Sequence, residues 1–335
     1  MQITSRVLWA TAATLIAGIR PAPAADGTFE LKQTIPLKGV DGKLDHLVVD
    51  AKGERLFVAN KPNNTLDIVD LKTGKLVKQI PDQGKVSGVA YSADLDTIYV
   101  GNGAGTCNAF DGKDYKQVFS TPLPGADNVH YHSGTKSVFV AHGPMLTELD
   151  GKTGMMKSAT KLPGDSHGFH IDEKAGKAYV VLTKPSLLAV VDLSQRKVAA
   201  QYTLTLSDAG SPVAVDTVRG LIFVGCPKKP MIVIFDMASG KELAGIEIPA
   251  GIDDLVYDAA RDRLYASCGD GFLTILGKKD DRFAVIEKIA TPKFSRTCAW
   301  HSGKLYLGVP KQEKMGGPEI HVFEAEPVNK GNARD

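Results

Sequence analysis

The sequence predicts an all-β protein made of seven copies of one four-stranded unit, and three observations carry that prediction. Seven short segments share one pattern, a turn followed by an apolar–aromatic–apolar run: ERLFVAN, DTIYVGN, KSVFVAH, GKAYVVL, GLIFVGC, DRLYASC and GKLYLGV. Their aromatics are Phe57, Tyr99, Phe139, Tyr179, Phe223, Tyr265 and Tyr306, so successive spacings are 42, 40, 40, 44, 42 and 41 residues. Each such segment is flanked by further short apolar stretches, and the 34 glycines in 335 residues supply many tight turns. Four strands at a period of ~40–45 residues is the signature of a propeller blade. The fold class is therefore a seven-bladed β-propeller.

The elements follow in order. HLVVD, GVAYS, NVHYH, GFHID, PVAVD, DLVYD and RTCAW precede the aromatic segments and read as first strands. Stretches such as NTLDIVD, SLLAVVD, PMIVIFD and EIHVF come after them as third strands. Turns such as LKTGK and MASGK lead into fourth strands such as KLVKQI and KELAGIEI. The segment FELKQTIPL, 29–37, matches a fourth strand, whereas the last strand, around Glu319 to Glu324, matches a third. The N-terminal strand is thus expected to complete the seventh blade and close the ring, which leaves no long open edge. Length alone is a prior for two domains, but seven blades from 29 to about 325 leave no room for a second. An aspartate at 50, 172, 216 and 258 recurs once per blade and is read as the start of a tight turn.

Residues 1–24 read as a signal peptide. Arg6 supplies the positive region, Val7 to Ile19 the short apolar region, and Ala22-Pro23-Ala24 the cleavage signal. The apolar run is too short for the ~20 residues of a membrane span. The expected mature chain is a single domain, 25–335, periplasmic or secreted and monomeric. Cys107, Cys226, Cys268 and Cys298 form no C-x-x-C and read as buried small hydrophobes; their pairing is left open. The formal charge of +2 argues against nucleic acid as a partner.

Loops before the first strand and after the second open on one propeller face. Counting back from each aromatic, with one residue removed in the last blade, places His46, Gly88, Asn128, Gly168, Pro212, Asp254 and Arg296 at the start of the first strands. Asp45, Ser87, Asp127, His167, Ser211, Asp253 and Ser295 stand immediately before them. His142 lies at the end of a second strand on the same face. His130 and His170 occupy equivalent deeper positions in adjacent blades, alongside Cys298 in the last. Five of eight histidines thus fall near one axis. The candidate ligand-binding residues are His46, Asn128, His142, His167, Asp254 and Arg296. Imidazole is the commonest transition-metal ligand and an acid–base group near neutral pH. His46, His130, His167 and His170 are therefore candidate ligands for a transition metal, the candidate cofactor. Asp254 is expected either to orient a ligand or histidine or to pair with Arg296. Asn60 and Asn102, after the aromatics, read as turn residues tolerant of positive φ. Lys61, Lys184, Lys228, Lys229, Lys311 and Lys314 recur in the loops of this face, a set suited to attracting an anion.

The segments LFVAN…NTLDIVDLKTGK and IYVGN resemble the YVTN-repeat seven-bladed propellers, including the exported YncE-like proteins, over nearly the whole mature chain. That resemblance implies the fold. It does not imply one chemistry, because related propellers include lactonases, cofactor-dependent dehydrogenase-like proteins and haem-binding domains. The metal constellation of the gluconolactonase group does not map onto this chain. No C-x-x-C-H occurs, so covalent c-type haem is excluded. Two functional classes follow. In the first, the protein binds a small, anionic ligand, a metal or another periplasmic protein on the loop face. In the second, it is an enzyme for lactone or ester hydrolysis, or for metal- or cofactor-assisted redox chemistry. There His46 or His167 would act as base or ligand, with Asp254 orienting and Arg296 stabilising an anion.

Overall fold

Each predicted unit folds as an antiparallel four-stranded sheet, with its strands in chain order in blades 1 to 6. The computed structural model describes residues 29–208 and 210–326; the signal-peptide reading lies outside them. Blade 1 is Leu47–Asp50, Arg55–Asn60, Thr65–Asp70 and Lys75–Ile80. Blade 7 takes three strands from the C-terminal end, Thr297–His301, Lys304–Val309 and Glu319–Ala325, and its fourth, Phe29–Pro36, from the N-terminal end. Pairing of Phe29–Pro36 with Glu319–Ala325 closes the ring as the repeat phase requires. Blade 1's first strand packs beside those of blades 2 and 7, so first strands line the axis.

The core lies between the blades. Seven apolar clusters each span two neighbours; one joins Phe57, Ala59 and Leu66 of blade 1 to Val86, Val89 and Ile98 of blade 2. The seven repeating aromatics are all buried within the sheets. Period-two alternation survives on the outer strands, as in Lys197–Thr203, where every second side chain is exposed. The recurring aspartates do start the turns. Asp50 Oδ1 accepts from the N–H groups of Lys52 and Gly53, Asp216 Oδ1 from those of Val218 and Arg219, and Asp172 and Asp258 from one N–H each, of Ala175 and Ala260.

One sequence alignment needs correction. In blades 1 to 6 the turn between first and second strands has four residues, as between Asp50 and Arg55. In blade 7 it has two, Ser302-Gly303, both at positive φ. The last blade is therefore short by two residues, not one. Ala299, opposite Tyr306, is the equivalent of His130 and His170, which face Phe139 and Tyr179. Cys298 instead packs between blades 6 and 7. All four cysteines are buried and unbonded. Among the described residues no helix is long and apolar enough to cross a membrane.

Candidate functional site

The first strands converge on the axis and enclose a cavity of about 340 Å³ on the loop face. Its wall has two tiers. The upper tier comes from the residues at the strand entrances. Asp254 N–H donates to Arg296 O, as His46 N–H does to Ser87 O. Arg296 therefore shares a ring position with Asp45, Ser87, Asp127, His167, Ser211 and Asp253, and Thr297 takes the place expected for Arg296. This follows from the shorter blade 7 turn.

Acids and bases interleave around that tier. Lys61 Nζ donates to Asp45 Oδ2 and Ser87 Oγ, both at 2.7 Å. Lys43 Nζ lies 3.6 Å from Asp45 Oδ1 and 2.9 Å from Asp253 Oδ2. Arg296 Nε lies 3.2 Å from the same Asp253 oxygen. Ser211 Oγ bonds His167 Nδ1 at 2.8 Å and Asp253 Oδ1 at 3.4 Å. Asn128 Nδ2 donates to His167 O at 2.7 Å. Burial works against the charge on Asp45, but His46, Lys43 and Lys61 outweigh it and hold the carboxyl below its usual range. Burial likewise opposes the Lys43 ammonium, which Asp45 and Asp253 nevertheless hold above its usual range.

His46 and Asp254 form a further pair. Nδ1 and Oδ1 are 3.1 Å apart, and Asp254 Oδ2 accepts from Cys298 N–H at 2.9 Å. Both carboxylate oxygens accept, yet burial raises the Asp254 carboxyl above its usual range against the opposing charge and hydrogen bond of His46. Burial depresses the His46 pKa, but the charge and hydrogen bond of Asp254, with Asp45 and Asp253 behind, reverse this and push it up to about 10. At neutral pH this imidazole carries its proton and serves as a donor. The expected alternative, Asp254 paired with the Arg296 side chain, is not realised; Arg296 goes to Asp253.

The lower tier is uncharged. His130 and His170 face the cavity with ring centroids 6.5 Å apart, and Phe169 packs 4.5 Å from His130. Burial, with repulsion from His170 and His46, pushes His130 down to about 3. Burial also lowers His170, opposed by Asp172. Within one cavity, His46 is thus shifted upward and His130 and His170 downward.

His142 stands apart. It ends a second strand, one strand outward from the axis, and its Nε2 bonds Thr147 Oγ1 of the third strand at 2.8 Å. Asn60 and Asn102 are not turn residues: Asn60 has φ −86° and both are buried. Asn60 Nδ2 donates to Asp67 Oδ2 and Asn102 Nδ2 to Gln83 Oε1; the left-handed residue is Asn64. The loop lysines do not form a free ring, since Lys61 turns inward and Lys311 pairs with Asp41. Lys43 was not singled out in the sequence, although its place two residues before Asp45 puts it on the same side of an extended segment.

Among the described residues, no three His, Cys, Asp or Glu side chains are grouped to hold a metal ion. His46 is held through Nδ1 by Asp254 and His167 through Nδ1 by Ser211, contacts that orient each ring and do not use its Nε2.

No protein-family model and no curated protein matches the chain in sequence. Solved structures do match in shape. A chain of the mitotic checkpoint complex superposes with a TM-score of 0.75 at 12% identity, over 98% of this chain and 99% of that one. The β-propeller domain of Cps50 (Swd1) from Myceliophteria thermophila superposes with a TM-score of 0.72 at 13% identity, over 89% and 100%. At such identities the likeness extends to the fold alone, and the fold that the chain shares with them is the seven-bladed β-propeller.

Proposed function

We propose that the protein is an exported binding propeller that holds a small polar molecule in the channel-mouth cavity. The observation that supports this reading is the two-tier wall. A charged rim fixed by its own ion pairs stands above neutral imidazoles, each offering one donor and one acceptor. Such a wall supplies preset polar partners without further ordering cost. The signal-peptide reading of residues 1–24 and the YVTN-repeat motifs accord with export. The test fills the lower tier. In a His130→Phe/His170→Phe double variant, the floor becomes apolar and the cavity smaller. A thermal-shift panel of small carboxylic acids, amino acids and phosphosugars is run on both proteins. Stabilisation of wild type by a panel member, absent in the double variant, supports the reading. Equal responses, or none, reject it.

The His46–Asp254 contact favours an enzymatic use of the same cavity as the second reading. A protonated imidazole oriented by a carboxylate is a general acid. Turnover of a lactone or ester by wild type and not by His46→Gln would move the assignment there. A protein partner on the loop face accords with the assembly that gives the first structural neighbour its name.

A further inference from the structure

A second cavity, of about 620 Å³, opens beside the first between the loop leading into blade 1 and the loops of blade 7. Lys43, Phe294, Arg296, Pro310 and Lys311 line it together with the acids Asp41 and Glu313. Two features of its wall stand out physically. Phe294 is 64% exposed and has φ +66°. A bulky side chain seldom occupies the left-handed region, and residues held there concentrate at ligand clamps and functional sites. Its N–H is pinned to Gly269 O at 2.7 Å, which fixes the backbone that carries the ring.

The other feature is Arg296. Its only ion pair among the described residues runs from Nε to Asp253, and even that buried nitrogen has no well-aligned hydrogen bond. The two terminal nitrogens make no hydrogen bond to any described residue. A guanidinium anchored at one edge, with its fork unused, fits a carboxylate in bidentate fashion. Lys311 on the same wall is already paired with Asp41 at 3.1 Å, which leaves the Arg296 fork as the group that meets an anion.

We propose that this second cavity binds an organic carboxylate with a flat conjugated body. The carboxylate takes the Arg296 fork and the flat face lies against Phe294 and Pro310, where an aromatic ring prefers an offset or edge contact. The site borders the central cavity, because Asp253 lines that cavity and pairs with Arg296.

The probe is cinnamate, titrated calorimetrically into the mature chain, with cinnamamide and cyclohexanepropionate as controls. Binding with a Kd of about 1 mM or tighter is expected, with Arg296→Gln weakening it about tenfold or more, the size of one lost charge-assisted contact. Phe294 is exposed, so Phe294→Ala should fold normally and should weaken cinnamate several-fold while leaving cyclohexanepropionate unchanged. Cinnamamide should not bind. The His130→Phe/His170→Phe double variant should keep cinnamate affinity, which separates this site from the central one. No binding by wild type, amide binding equal to the acid, or affinity unmoved by both Arg296→Gln and Phe294→Ala would overturn the proposal. Loss of cinnamate only in the double variant would do so as well.

Discussion

His46 Nδ1 lies 3.1 Å from Asp254 Oδ1, and this contact ties blade 1 to blade 6 past the intervening blade 7. The two residues are 208 apart in sequence. Blade 7 is assembled from both ends of the described chain, so the pair can form only when the ring is closed. Lys43 and Asp253 repeat the same connection one step higher. The channel mouth is therefore both a candidate site and a seam of the fold, and its charges bear on stability as well as on binding.

The seam predicts an alkaline weakness. The folded-state pKa of His46 is about 10, above the ordinary value of 6.5. A raised pKa stabilises the folded state fully below the unfolded value and loses that contribution as pH rises through the folded one. Urea midpoints should accordingly fall between about pH 6.5 and pH 10. His46→Gln should be less stable than wild type at pH 6 and should lack this part of the decline. A decline of equal size in the variant would show that the pair does not carry it.

The lower tier predicts the opposite flank. His130 has a folded-state pKa of about 3, and His170 is also lowered by burial. The unfolded chain then binds more protons than the folded one as pH drops below about 6.5, so stability must fall with acid. His130→Phe should flatten the urea midpoint between about pH 6.5 and pH 4. The same slope in variant and wild type would mean that this imidazole is protonated in place.

Much of this was legible in the sequence, and what was not has a common physical origin. The blade period, the closing strand and the matched positions of His130 and His170 all follow from local periodicity, which survives in a single chain's order of residues. The place of Arg296 did not, because the blade 7 turn is shorter by two residues where the repeat count removes one, and that one-residue difference moves a residue to the other side of the strand. The partner of Asp254 was also illegible. Asp254 and Arg296 are near in the repeat count, but His46 reaches Asp254 across the ring, and only closure brings them together. His142 was counted with the axis because its strand end lies on the right face; its bond to Thr147 turns it outward.

Gly168 gives a sharp test of how closely blades 4 and 5 approach. A Cβ built there would stand 2.2 Å from the backbone oxygen of Ser211. Backbone on both sides leaves little freedom to yield, so Gly168→Ala should cost about 1–3 kcal/mol as an overpacked site. The strain also falls beside the Ser211–His167 bond, so the His167 imidazole resonances should move in the NMR spectrum. A neutral variant with unshifted resonances would show that the blades stand further apart.

Two phenylalanines, cut back to the same residue, should behave in opposite ways. Phe57 has no exposed surface and fills the interface between blades 1 and 2. Its ring lies 5.4 Å from that of Tyr91 and 5.2 Å from the Arg55 guanidinium carbon. Arg55 in turn clamps the blades by reaching Asp50 in its own blade and Asp96 in the next. Phe57→Ala should therefore remove transfer energy and leave a void, at a cost of about 3–5 kcal/mol. It also takes away the face on which Arg55 rests, which places the loss at the upper end of that range. Phe294 is 64% exposed and its ring belongs to no core cluster. Its removal should stay within about 0.5 kcal/mol, as for other surface changes. Denaturant midpoints of the two variants measure the contrast directly. A mild Phe57→Ala would mean that the repeating aromatics are not the wedges between blades. A costly Phe294→Ala would mean that the rim aromatic holds the loops of blade 7 in place, not a ligand.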